Sequence, residues 1–232
     1  ILMEVNVGIP TGPVVFMSDE WRGLFKHAVS EARRLNLEIT TNAGPGWTGS
    51  GGPWVKPEKS MQFIVASAVN VVGPAEFDRE LPRPKRRPAY FGEKFLPEEL
   101  VQSMDDFYRD VCVLAFPSPE GEEKIESIDE KALYIRNPYS SMPGVKPYLP
   151  SPWTYPEIPA NAKIKLAGII DLTDNLKPDG RLTWSVPPGN WTIIRFGRTS
   201  TGANTRPAPV TGIGLESDKF DKTALKAHFN AF

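Results

Sequence analysis

Hydrophobic and polar positions along this chain follow two different periods. Between residues 19 and 35, Trp21, Leu24, Phe25, Ala28, Val29, Ala32 and Leu35 recur three or four apart, the spacing that puts side chains on one face of a helix. Ser18 and Asp19 supply N-cap chemistry. Asp19 and Glu20 place negative charge in the first turn, and Arg33 and Arg34 place positive charge near the last, each where the helix dipole favours it. Alternation over residues 2–7 and again over 38–42 predicts a strand on either side. Strand, helix and strand in that order require a parallel pair with a right-handed crossover. A third strand is predicted over 213–216, followed by a helix from about Asp221 with Leu225, Phe229 and Phe232 on one face.

Between these ends the period falls to two. Strands are predicted over 61–72, 107–116, 132–136, 163–171, 181–186 and 190–197, rich in Val, Ile, Thr and aromatic residues. Pro187-Pro188-Gly189 separates the last two and predicts a hairpin. Six short strands with turn signals between them point to a β-sandwich. Residues 137–159 carry seven prolines and four aromatics, which excludes a central strand or helix and predicts an extended segment. The expected organisation is therefore α/β over residues 1–60, an inserted β-sandwich over 61–208, and a return to α/β over 209–232.

One loop departs from both periods. Residues 42–55, NAGPGWTGSGGPWV, hold five glycines, two prolines and two tryptophans. Glycine lets a backbone approach a ligand closely, and an aromatic ring beside exposed backbone polar groups suits a sugar, whose C–H face stacks on a π-system. The loop therefore reads as ligand-facing through Trp47 and Trp54. The competing reading is a cap in which the tryptophans plug the end of a core.

Composition narrows the rest. A chain of 232 residues, 40% hydrophobic and 24% charged, has enough apolar residues for a globular core. Lys and Arg number 27 against 28 Asp and Glu, and the one basic run, RPKRR over 83–87, is short and proline-broken, so it reads as a solvated linker and not a nucleic-acid contact. No apolar run is long enough to span a bilayer. The single Cys112 excludes an internal disulfide and reads as a buried small hydrophobe. His27 and His228 fall in helical patterns away from the glycine-rich loop in sequence, which argues against a histidine zinc site or a Ser-His-Asp triad. The chain opens on a strand pattern without an initiator Met and closes inside an amphipathic helix, so it is expected to be an internal piece of a longer protein.

The order of these pieces resembles the family 106 glycoside hydrolases, the α-L-rhamnosidases. The resemblance is carried by MEVNVG (3–8), SDEW (18–21) through EARRLNLEI (31–39), GPGWTGSGGPWV (44–55), YRDVCVLAFP (108–117), the DG-x-L-x-W-x-VP-x-G-x-W pattern over 179–191, RFGRTSTG (195–202) and GLESDKFD (214–221). It implies an α/β plus β architecture, with the first strands and helices of a (β/α)8-like barrel interrupted by the β-sandwich. It also implies an inverting hydrolase that releases terminal L-rhamnose from plant pectic polysaccharide or glycosides. A calcium ion, with its ligands mostly outside this chain, would help to hold the sugar, and the protein would be periplasmic or secreted in a bacterium, from its substrate class alone.

Inversion uses two carboxyl groups about 6.5–9.5 Å apart. In the family both are implied to lie beyond this stretch, so the catalytic residues are expected outside the chain, and the 232 residues alone are expected to be inactive. In a barrel, alternation would turn Glu4 and Asn6, Thr40 and Asn42, and Gly214 and Glu216 inward. Asn42, Trp47, Trp54, Glu216 and Glu4 are thus the candidate substrate contacts, with Glu216 and Asp218 the candidate calcium ligands. For Glu4 the competing role is an interior salt bridge, and for Glu216 it is that GLESDK caps the next helix through Ser217 or Asp218. Two rival functions remain: another barrel glycosidase such as a β-galactosidase-like enzyme, and a non-catalytic carbohydrate-binding module. The second needs Trp184 and Trp191 exposed, yet each alternates with apolar residues and is expected on the core face.

Overall fold

A computed structural model describes residues 12–89, 93–121, 123, 125 and 157–232. The chain divides into two compact units, one of Ile1–Val65, Lys85–Arg109 and Arg198–Phe232 and one of Ala66–Pro84 and Asp110–Gly197. Residues 85–109, which the sequence reading assigned to the inserted module, therefore cluster with the first unit.

The first helix forms as its pattern predicts. α1 spans Asp19–Arg34, and the Ser18 hydroxyl accepts a hydrogen bond from the Trp21 N–H at 3.2 Å. Its end is set by Asn36, which takes a left-handed φ of 56°, while the Leu37 N–H turns back to the Ala32 carbonyl at 2.8 Å. The predicted strand over 38–42 does not form, and its residues are exposed. A strand needs a neighbour to exchange hydrogen bonds with, and the predicted partner over 2–7 lies outside the described residues. The third strand is likewise reduced to single antiparallel bridges, Gly52 with Leu215, Asn204 with Leu215 and Ser60 with Ser217. No parallel barrel sheet is present among the described residues.

The core of this unit is small and local. Val55, Leu96, Met104 and Leu215 are buried, with Trp54, Leu100, Val101 and Ile213 packed against them. Helix α2, Glu98–Asp106, contributes Leu100, Val101 and Met104 from one face. Helix α3, Lys222–Ala231, begins where the sequence predicted, and its N-cap is Asp221, whose carboxylate accepts from the Thr223 N–H at 2.7 Å. The basic run over 83–87 is not wholly solvated. The Arg86 side chain is 6% exposed and bonds Glu93 at 2.8 Å and Asp105 at 2.7 Å. That guanidinium holds the Glu93 carboxyl below its ordinary range.

The second unit is built on one four-stranded sheet in the order β1-β4-β2-β3, with β1 Gln62–Glu80, β2 Arg109–Pro117, β3 Ile170–Asp171 and β4 Arg181–Ser200. β2 and β3 pair antiparallel, Leu114 with Asp171 and Ala115 with Ile170. The described residues thus hold a single sheet and not a sandwich of two. The predicted strand over 132–136 lies outside them, as does the proline-rich segment up to residue 156. Cys112 on β2 is half-buried, and burial pushes its thiol pKa up.

The predicted hairpin at Pro187-Pro188-Gly189 is overturned, because residues 181–200 form one continuous strand antiparallel to β1. Ser185 bonds Glu76 at 2.9 Å and Thr192 bonds Asn70 at 3.0 Å. Between these contacts β1 advances six residues (76 to 70) and β4 seven (185 to 192), so β4 carries one extra residue. Inward positions record the same shift: Leu182, Trp184 and Val186 face the core before the prolines, and Trp191 and Ile193 after them. Even numbers give way to odd, the signature of a β-bulge. Prolines lack a donor and are tolerated in a central strand only at such an interruption. Trp184 and Trp191 meet edge to face at 5.3 Å inside the core, as their alternation predicted.

Candidate functional site

The glycine-rich loop has the geometry of a packed segment more than of a free one. A Cβ on Gly46 would lie 1.4 Å from the Thr205 carbonyl oxygen, so no side chain fits where the loop crosses residues 205–207. Gly51, at φ 122°, has the Leu215 carbonyl 2.5 Å from the same notional atom. The Gly52 N–H donates to the Leu215 carbonyl at 3.1 Å. Thr205, fully buried, ties the opposite side together: its hydroxyl donates to the Gly212 carbonyl at 2.9 Å and accepts from the Gly214 N–H at 3.1 Å. These glycines let two backbones approach each other, a role the sequence reading had given to an approaching ligand.

The two tryptophans fare differently. Trp47 stands at the outer turn of the loop, 72% exposed. Trp54 is half-buried against the small core, with its ring 6.4 Å from that of Phe232 and its indole N–H 3.2 Å from His228 Nδ1. Only Trp47 offers a ring face to a ligand in solution. Asn42 is exposed, and its amide donates to the Gly46 carbonyl, closing the first turn of the loop.

Glu216 follows Leu215 on the segment that carries the loop, and its backbone borders Gly51. Its N–H donates to the Ala203 carbonyl at 2.8 Å, and its carboxylate pairs with Lys219. Asp218 turns its carboxylate to the Phe220 N–H at 2.9 Å, while Asp221 caps α3. The helix cap thus belongs to neither Ser217 nor Asp218. Glu4 lies outside the described residues; Asn42, Trp47 and Trp54 share one loop, and Glu216 lies on the segment whose backbone borders Gly51.

The implied calcium, whose ligands are expected mostly outside this chain, would find few of them here. Glu216 and Asp218 are two carboxylates, each already engaged by a donor of its own turn, and the described residues contain no group of three or more His, Cys, Asp or Glu able to hold a metal ion. Calcium takes six to eight oxygen ligands, as a rule with several carboxylates among them.

Sequence reasoning missed His228. It was set apart from the glycine-rich loop, yet it is fully buried and touches that loop at Ala43, Gly51 and Trp54. The separation of 177 residues between Gly51 and His228 hides the contact from any local signal. A faint one exists: a histidine on the apolar face of an amphipathic helix needs polar partners, and a glycine-rich loop supplies free backbone groups.

Comparisons with known proteins agree on a relationship. The alpha-L-rhamnosidase family, glycoside hydrolase family 106, matches over residues 3–232. A protein of Formosa agariphila named "Putative beta-glucuronidase" is 37% identical over 228 residues, covering 98% of this chain and 17% of that protein. The solved rhamnosidase from Novosphingobium sp. PP1Y shares the fold with a TM-score of 0.67 at 22% identity, over 98% of this chain and 32% of its own. The chain thus spans about a sixth of the curated relative and about a third of the solved structure. No helix among the described residues is long and apolar enough to cross a membrane. With the family matched across all but the first two residues, this chain belongs to the alpha-L-rhamnosidase family of glycoside hydrolases.

Proposed function

We propose that this chain is part of an α-L-rhamnosidase that hydrolyses terminal L-rhamnose from plant pectic polysaccharide or glycosides with inversion, and that the enzyme acts in the periplasm or outside a bacterial cell. The observation that carries the reading is the family match along the whole chain. The acid and base are proposed to come from residues beyond these 232, which on their own would not turn over substrate. Within the chain, Trp47 is the proposed sugar contact: its exposed ring sits on a loop fixed at both sides, so little ordering entropy is lost when a sugar stacks on it. Glu216 and Asn42 are proposed as hydrogen-bonding groups for the same sugar, and Trp54 holds the loop to the small core. A second reading, hydrolysis of β-glucuronides, is favoured by the name of the Formosa relative alone.

The test is turnover by the full-length protein of p-nitrophenyl α-L-rhamnopyranoside against p-nitrophenyl β-D-glucuronide, with the anomer of the first product followed by NMR. Rhamnoside cleavage with inverted product is expected, and cleavage of the glucuronide alone would replace the first reading with the second. Trp47→Ala should lower kcat/KM about tenfold without loss of stability, since one stacking contact contributes roughly 1–2 kcal/mol. Trp54→Ala should destabilise the first unit.

A further inference from the structure

His228 has an unusual partner set for a buried imidazole. Its Nδ1 lies 3.1 Å from the Gly51 N–H and 3.2 Å from the Trp54 indole N–H, and its Nε2 lies 2.7 Å from the Ala43 carbonyl oxygen. Both groups at Nδ1 can only donate, so Nδ1 must present its lone pair. The carbonyl at Nε2 can only accept, so Nε2 must carry the hydrogen. The partners thereby dictate the tautomer. The three contacts fall at residues 43, 51 and 54, on both sides of Trp47.

We infer that His228 is a positioning residue: one neutral imidazole in the Nε2–H form ties the two arms of the glycine-rich loop to α3 and sets how Trp47 is presented. The ring is closed in by apolar groups, stacked on Phe232 at 5.9 Å and edge-on to Phe229 at 5.1 Å. None of these hydrogen-bond or ring partners titrates. The charge linked to the cluster is Arg22 of α1, whose guanidinium donates to the Phe232 carbonyl at 3.3 Å. A second proton on the imidazole would sit on Nδ1 and face two N–H groups, donor against donor. The tie therefore exists only in the neutral state. Its consequence for turnover rests on Trp47 being a sugar contact; its structural content does not.

Two substitutions in the full-length protein separate the roles. His228→Asn sets a carbonyl oxygen where Nδ1 was, so it still accepts from Gly51 and Trp54 but cannot be protonated. His228→Leu accepts nothing. With p-nitrophenyl α-L-rhamnopyranoside, His228→Leu is expected to raise KM about tenfold or more while kcat stays within about threefold, as two buried donors lose their acceptor. His228→Asn is expected to recover most of that loss. The second readout is the fluorescence assigned to Trp54 by subtraction of a Trp54→Phe protein. It should shift in His228→Leu and stay at its wild-type position in His228→Asn. Unchanged Trp54 emission in His228→Leu would overturn the inference, and so would a His228→Asn protein as impaired as His228→Leu. If the wild type fails to cleave the rhamnoside, the proposed function falls, and the Trp54 emission of His228→Leu against His228→Asn still decides the role of His228.

Discussion

In the sheet-bearing unit Phe77, Leu81, Val113, Leu182 and Ile193 are each at most 3% exposed, whereas α1 in the other unit has no buried side chain despite an apolar face of equal regularity. Leu24 is 53% exposed and Val29 44%. The sheet finds its partners among its own strands and the segments that cross them. The helix lines up Phe16, Trp21 and Phe25, the first pair edge to face at 5.1 Å and the second stacked at 5.4 Å, with no layer to cover them among the described residues. A hydrophobic period thus records that a face needs a partner, and only burial records that the partner is at hand.

The contrast can be broken by mutation of the full-length protein. Ile193→Ala, at a fully buried position, should cost about 2–5 kcal/mol in chemical unfolding, the range for losing a large aliphatic side chain from a packed core. Asp221→Ala should act more locally, as several-fold faster amide exchange in the first turn of α3, because it removes the cap and the 3.0 Å bond from Lys59. The Thr223 hydroxyl, then Lys59, hold the Asp221 carboxyl well below the usual carboxylate range. The folded state thus binds that proton less readily than the unfolded chain. Its contribution is complete above about pH 4 and lost as acid titrates the group toward its folded value. Protection of α3 should fall in that window in the wild type and be flat in Asp221→Asn, which keeps a capping oxygen. Smallest of all, Leu24→Ser should change stability by less than about 0.5 kcal/mol if its face meets only water. A cost near that of Ile193→Ala would show that residues beyond those described cover α1.

Legibility followed the range of the signal. The start and end of α1, the Asp221 helix start and the inward-facing Trp184 and Trp191 were all readable, because each depends on residues within a few positions. The Pro187-Pro188-Gly189 turn was misread, because the same tripeptide serves a hairpin or a bulge, and the choice depends on β1 lying opposite. Gly73 sits there, so close to Pro187 that a Cβ would come 1.9 Å from its carbonyl oxygen. Arg195 was unreadable for a similar reason. It occupies an inward position 6% exposed, made tenable by Asp110, bonded twice at 2.7 and 2.9 Å, and by the Leu81 carbonyl at 2.8 Å. At the candidate site the glycines were legible as a demand for close approach, but not what approaches: Thr205 and Leu215 lie more than 150 residues away along the chain.

The extra residue in β4 also limits how the chain can change in length. Val186 and Trp191 both face inward across an odd interval, one residue more than simple alternation needs. Removing one residue there would erase the bulge and leave every later side chain on its present face. Removing two would turn Trp191, Ile193 and Arg195 outward together and bring Thr192, Ile194 and Phe196 into the core, a frame error written in space instead of in codons.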